Sequence, residues 1–239
     1  MATTALTDLI TVLVSKSLTD DQISYRVRNP RSDMTDFETE EKREMYEALL
    51  ESGRERLLSY GPKKTNVADI TEPVGVAKST FYLYFESKAD LYLEILRREF
   101  EQLHDRAQDE IAGADGSSEQ LEALFRCYRE FAEENPYIQQ MMAEENVNQM
   151  FRKNVSSERF EEVQQEGLGK FLPFIESIRT ESDGLVSDED PVTVMGVMSV
   201  ISLVVRNRSE FEAYGPEYYE AIQDLLISAL SRGLTTTPN

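Results

Sequence analysis

From Met45 onward, apolar residues return every three to four positions, the spacing of a helix with one buried face. Met45, Leu49, Gly53 and Leu57, widened by Leu50, predict a first helix over about Asp36 to Tyr60, capped by Thr35 and Glu38 and stopped by Gly61 and Pro62. Asn66 is an N-cap for a short helix with Val67 and Ile70 on one face, and Gly75 supplies a sharp turn. A further helix is predicted over about Ala77 to Phe85, and Ser87 with Asp90 caps the next. That long helix buries Tyr92, Leu93, Leu96, Phe100, Leu103 and Ala107, and breaks at Gly113 to Ser118. Ser117 to Gln120 then cap a helix carrying Leu121, Leu124, Phe125, Tyr128 and Phe131, and Pro136 opens another. One helix is expected over Ser157 to Arg179 with a kink at Pro173. Val192 to Val205 is apolar nearly all round, and a last helix runs to Gly233.

The pattern predicts an all-α protein. Residues 1–35 show no sustained period and read as a disordered leader or a mis-called start. Residues 36–87 form an N-terminal three-helix unit, 88–233 a larger helical domain and 234–239 a tail.

Two short helices around a glycine turn are the helix-turn-helix arrangement, whose second helix can enter the major groove of DNA. Lys78 can donate to guanine or phosphate, and Ser79 and Thr80 suit close approach. Tyr82 and Tyr84 can reach the groove walls, and Lys88 sits at a helix start that favours phosphate. The loop of Lys63, Lys64 and Thr65, with Asn66, lies where it can meet the backbone. Gly61, Thr65 to Ile70, and G-V-A-K-S-T-F-Y-L-Y-F-E-S-K-A-D-L from Gly75 to Leu91 resemble the tetracycline-repressor (TetR) family of transcription regulators. The likeness covers about fifty residues. Pro73, which removes an amide near the end of the first helix of the pair, departs from the pattern, as does Ala77 where Ser is the better cap.

The resemblance implies a homodimeric, cytoplasmic DNA-binding regulator, most often a repressor released from its operator by a small molecule. The competing reading is a dimeric helical module that binds protein instead of DNA. Net charge of −20 motivates it. Residues 40–100 hold 10 Lys and Arg against 12 Asp and Glu, whereas residues 101–239 hold 11 against 27. The acid is thus concentrated outside the candidate DNA reader, but the reader still lacks the usual basic footprint. An excess of Asp and Glu with few Lys also resembles proteins of salt-loving archaea, in which dissolved salt screens such repulsion.

Little else suggests chemistry. Cys127, the single cysteine, rules out an internal disulfide and a multi-thiolate zinc site. Glu101 and His104 have the spacing of a di-iron ligand pair, but that site needs two such pairs and His104 is the lone histidine. The Gly75 to Thr80 run lacks the glycines of a phosphate-binding loop. No nucleophile is paired with a base, so the chain reads as a non-enzyme without cofactor or metal. No stretch reaches membrane-spanning length. A ligand pocket for an unidentified effector is predicted among Tyr128, Phe131, Met141, Met142, Phe151, Phe171, Phe174, Met195 and Met198. Arg206 and Arg208 can meet an anion. Val197, Ile201 and Val204, with Ile222, Leu225, Leu226 and Ala229, are the predicted dimer face, two helices from each subunit forming a four-helix bundle.

Overall fold

The computed structural model describes residues 39–144 and 147–237. The leader over 1–35, the Thr35–Glu38 cap and the last two residues of the tail lie outside the described residues. Among those described, all regular structure is helical.

Helix α1 spans Glu40–Lys64, and the Thr39 hydroxyl caps it by accepting from the Lys42 amide at 3.4 Å. At the predicted stop the backbone leaves helical geometry. Gly61 has φ 78°, and Pro62 to Lys64 add one further turn. Where α1 crosses the start of the fourth helix, a Cβ on Gly53 would meet Leu91 Cδ2 at 2.5 Å. Leu91 fills the space a side chain at 53 would take.

Helix α2 is Val67–Val74, α3 is Lys78–Phe81 and α4 is Lys88–Ala112. Pro73 does not shorten α2, which runs through it to Val74 before Gly75 closes it at φ 78°. A left-handed residue of this kind is where glycine avoids the Cβ penalty. Helix α4 joins the N-terminal unit to the rest, and buried residues on both its ends belong to one continuous core. That core runs from Tyr46 and Leu49 through Ile70, Phe81 and Phe85 to Leu93, Phe100 and Leu124, and on to Ile227.

The larger domain contains α5 (Ser117–Glu134), α6 (Pro136–Ala143), α7 (Val147–Asn154), α8 (Ser157–Gly167), α9 (Leu172–Thr180), α10 (Pro191–Arg206), α11 (Arg208–Glu212) and α12 (Pro216–Thr235). Three boundaries differ from the sequence pattern. Ser117 lies inside α5, whose cap is Gly116 at φ 83° with no side-chain hydrogen bond. The helix expected over Ser157 to Arg179 is two helices separated by a 3-10 turn at Leu168–Phe171. Pro173 sits in the first turn of α9, where its missing amide costs nothing. Helix α12 passes Gly233 and ends at Thr235, because tertiary contacts hold its last turn: the Ser182 hydroxyl donates to the Thr235 carbonyl at 2.9 Å. A Cβ on Gly184 would come within 2.3 Å of the Thr235 carbonyl carbon.

Candidate nucleic-acid interface

The geometry of the turn-and-helix unit begins with what is buried. Phe81 and Phe85 pack with ring centroids 5.4 Å apart, and Phe85 stacks on Tyr46 of α1 at 5.0 Å. With Ile70 and Leu57 fully buried, these rings fix α3 against α1 and α2. The opposite side of α3 faces outward by default. Regular helix is confined to Lys78–Phe81, shorter than the predicted 77–85. Residues 82–84 continue as a turn closed by Leu83 N–H to Thr80 O at 3.1 Å and Tyr84 N–H to Phe81 O at 3.0 Å. Ala77 provides no side-chain cap.

The residues singled out from the sequence fall into two groups. Lys78 and Ser79 are exposed, Tyr82 is 57% exposed, and Thr80 is half-buried. Tyr84 is half-buried beside Tyr46, ring centroids 6.5 Å apart. Leu83, which the sequence reading passed over, is the most open large apolar residue of the unit, at 81% exposure. Its signal was its place between two tyrosines on a helix whose anchors are Phe81 and Phe85.

Thr65 and Lys88 turn the other way. Thr65 is 1% exposed, and its hydroxyl is engaged with the carbonyls of Gly61 at 2.9 Å and Arg56 at 3.1 Å. The Lys88 ammonium donates to the carbonyl of Pro62 at 2.5 Å and to that of Thr65. These carbonyls belong to the break after Gly61, so Lys88 ties the end of α1 to the start of α4. Burial pulls its pKa below the ordinary 10.5, against a smaller opposite pull from Asp69. Asn66 acts as an N-cap: its side chain accepts from the Ala68 amide at 2.9 Å, and Asp69 accepts from the Asn66 amide at 2.7 Å, a reciprocal capping box.

The start of α4 is held from the larger domain as well. The Ser87 hydroxyl accepts from the Asp90 amide at 3.1 Å, the predicted cap, and donates to the Asn154 carbonyl at the end of α7 at 2.7 Å. Arg159 of α8 donates to Asp90 at 3.2 Å and to Glu94 at 2.7 Å. Burial raises the Glu94 carboxyl, but the guanidiniums of Arg97, Arg159 and Arg98 outweigh it and leave its pKa below 4.5. Arg98 grips Glu47 of α1 with two bonds of 2.6 and 2.8 Å, which pulls the Glu47 pKa down despite partial burial. Arg54 of α1 and Asn135, the N-cap of α6, share the buried Glu99 at 3.0 and 2.6 Å.

Within the larger domain, the residues of the predicted pocket are mostly core. Tyr128, Phe131, Met141, Phe151, Phe171, Met195 and Met198 are buried in continuous packing. Phe174 stacks on His104 with centroids 5.0 Å apart, so that histidine is a packed ring. A cleft of about 370 Å³ lies at the ends of α5 and α10, lined by Met142 but by none of the other predicted pocket residues. Burial pushes the Cys127 thiol up to about 11. Of the predicted dimer face, Ile201 is fully buried within the subunit because α10 is covered on that side by its neighbours. Val197, Val204, Ile222 and Leu226 are half-buried, Ala229 is exposed, and Leu225 is 71% exposed.

This is a helix-turn-helix unit joined through one long helix to an all-α body. Residues 49–95 match the model of the tetR family of bacterial regulatory proteins. The fatty acid metabolism regulator protein of Bacillus subtilis (strain 168) is 27% identical over 81 residues, which are 34% of this chain and 42% of that relative's length. The fold extends beyond the matched segment. The fatty acid degradation regulator FadR from Bacillus halodurans superposes with a TM-score of 0.56 at 16% identity, covering 80% of this chain and 97% of that one. AibR, solved with isovaleryl coenzyme A and operator DNA, superposes with a TM-score of 0.54 at 16% identity, covering 80% of this chain and all 100% of that one. No helix among the described residues is long and apolar enough to cross a membrane.

Proposed function

We propose that the protein is a homodimeric, cytoplasmic transcription repressor whose hold on operator DNA is released by a small molecule. The observation that carries the reading is the face of α3 and its turn. Phe81 and Phe85 hold the segment rigid from inside, while Lys78, Ser79, Tyr82 and Leu83 project from the same short stretch. Lys78 and Ser79 come first on the helix and are the base-edge readers, Tyr82 reaches phosphate, and Asn66 orients α2 across the backbone. Thr65 and Lys88 act indirectly by fixing the angle between α1 and α4.

Dimerisation sets two such helices one turn of DNA apart, about 34–36 Å. The face for it is the outer side of α12, where Tyr218, Leu225 and Ala229 are exposed, and Val200 of α10 is exposed as well. The effector reading draws on relatives concerned with fatty acids and on one neighbour solved with an acyl coenzyme A. A second reading, binding of protein in place of DNA, is favoured by the exposed Leu83 within an acidic molecule.

Genome-wide footprinting with purified protein across a salt series separates them. Protection of discrete palindromic sites, weakening as salt rises, is the expected result. Absence of protection at every salt concentration would overturn the DNA reading in favour of the protein-binding one.

A further inference from the structure

The cleft at the ends of α5 and α10 combines two kinds of wall. Met142, Ala143 and Val205 line it with apolar surface, and Arg206 and Arg208 line it with guanidiniums, while Gln139 and Glu133 supply the remaining polar edge. The body of the protein is strongly acidic, with 11 basic residues against 27 acidic ones over 101–239, yet two of those basic residues share this one hollow. Arg208 is held in place, 2.7 Å from Glu212 and with its guanidinium 4.8 Å from the centre of the Tyr219 ring. Tyr219 in turn donates its hydroxyl to Glu133. The carboxylate at the rim is therefore occupied by a neighbour. A volume of about 370 Å³ has room for roughly a dozen non-hydrogen atoms at about 30 Å³ each.

Resting on the reading of the protein as an effector-controlled regulator, we infer that this cleft is the effector site and that it takes an anionic amphiphile of about a dozen heavy atoms. Such a molecule has a carboxylate or phosphate head on an unbranched apolar chain. The head lies against Arg206 and Arg208, since guanidiniums suit oxyanions. The chain lies along Met142, Ala143 and Val205.

The position of α6 supports a regulatory role. One side of this eight-residue helix gives Gln139, Met142 and Ala143 to the cleft. The rest of it grips α4 and the end of α1. Tyr137 donates its hydroxyl to the Tyr92 carbonyl, Gln140 lies against Gly61, and Glu144, which follows α6, pairs with Lys63 at 2.8 Å. A ligand that shifts α6 must move against α1 at its break. The linkage is then a differential affinity of the ligand for two placements of α6.

Calorimetric titration of the full chain with decanoate, decyl phosphate and decanol tests the site directly, without DNA. Both anions are expected to bind at least tenfold more tightly than the neutral alcohol. Preference for decanoate points to a free acid and preference for decyl phosphate to a phosphate-headed derivative; either supports the site. Arg206→Gln/Arg208→Gln should cut the affinity for the anions tenfold or more, and Ala143→Leu should weaken all three ligands by filling the apolar wall. Equal affinity for decanol and the anions, no binding of any of them, or unaltered anion affinity in the double variant with its melting curve intact would overturn the inference. A footprinting arm keeps the two readings apart. Anion binding by a chain that protects no DNA leaves the site standing and removes the regulator reading; DNA protection unchanged by saturating anion removes the effector role of the cleft.

Discussion

The two ends of the molecule treat their side chains in opposite ways. At the junction of α1 and α4, polar residues that look suited to DNA are turned inward: Thr65 onto the carbonyls of Gly61 and Arg56, Lys88 onto those of Pro62 and Thr65. On α12, apolar residues that look suited to a core are turned outward, Leu225 the furthest. Chemistry of the side chain alone does not decide which way it faces. At the junction, the break at Gly61 leaves carbonyls that need donors, and a buried carbonyl without one is costly. On α12 no neighbour among the described residues covers the outer face, and the proposed dimer would cover it.

The comparison can be broken at either end. Leu225→Glu should have the largest effect, converting dimer to monomer in light scattering while changing the melting of the subunit little, since the site is open within it; a dimer that survives moves the interface elsewhere. Next comes Lys88→Met, which strips two carbonyls of their donor. Loss of a buried charged hydrogen bond costs about 1–3 kcal/mol, read as a fall in denaturant midpoint, with DNA affinity falling in step. Acid should then loosen the clamp between α1 and α4. Glu47 and Glu94 have folded pKa values below 4.5, so the stability they contribute is complete above 4.5 and lost as pH falls through the lower folded values. Glu166, raised by burial, works in the opposite sense. Melting temperature measured from pH 7 to pH 3 should fall, and fall less in Glu47→Gln. Smallest in stability are Lys78→Ala and Tyr82→Ala, within about 0.5 kcal/mol of the parent because both sites are exposed. DNA affinity should nevertheless drop roughly tenfold, with altered sequence preference for Lys78 if it reads a base.

Local signals were legible where a few neighbouring residues decide the outcome. Asn66, Gly75 and Ser87 with Asp90 do what their chemistry demands, and Pro136 opens α6 next to its cap Asn135. The family likeness at Gly75 to Leu91 rested on those positions and is matched by the segment 49–95. Features set by distant partners were not legible. Thr235 is kept helical by Ser182, Ile201 is covered by helices far along the chain, and the predicted pocket residues are mostly core, with Met142 alone of them lining the cleft. Pro173 signalled a disturbance correctly but not its form, since a proline in the first turn of a new helix and one in a kink have the same local sequence.

Gly184 lets a loop lie directly against the last turn of the C-terminal helix. The loop backbone at 184 sits so close to the last turn of α12 that even a methyl group would strike the Thr235 carbonyl carbon at 2.3 Å. A side chain at 184 would therefore push the loop and the last turn of α12 apart. The glycine at 184 thus decides whether the loop after α9 can close on the chain's last helix, where the Ser182 hydroxyl meets the Thr235 carbonyl at 2.9 Å.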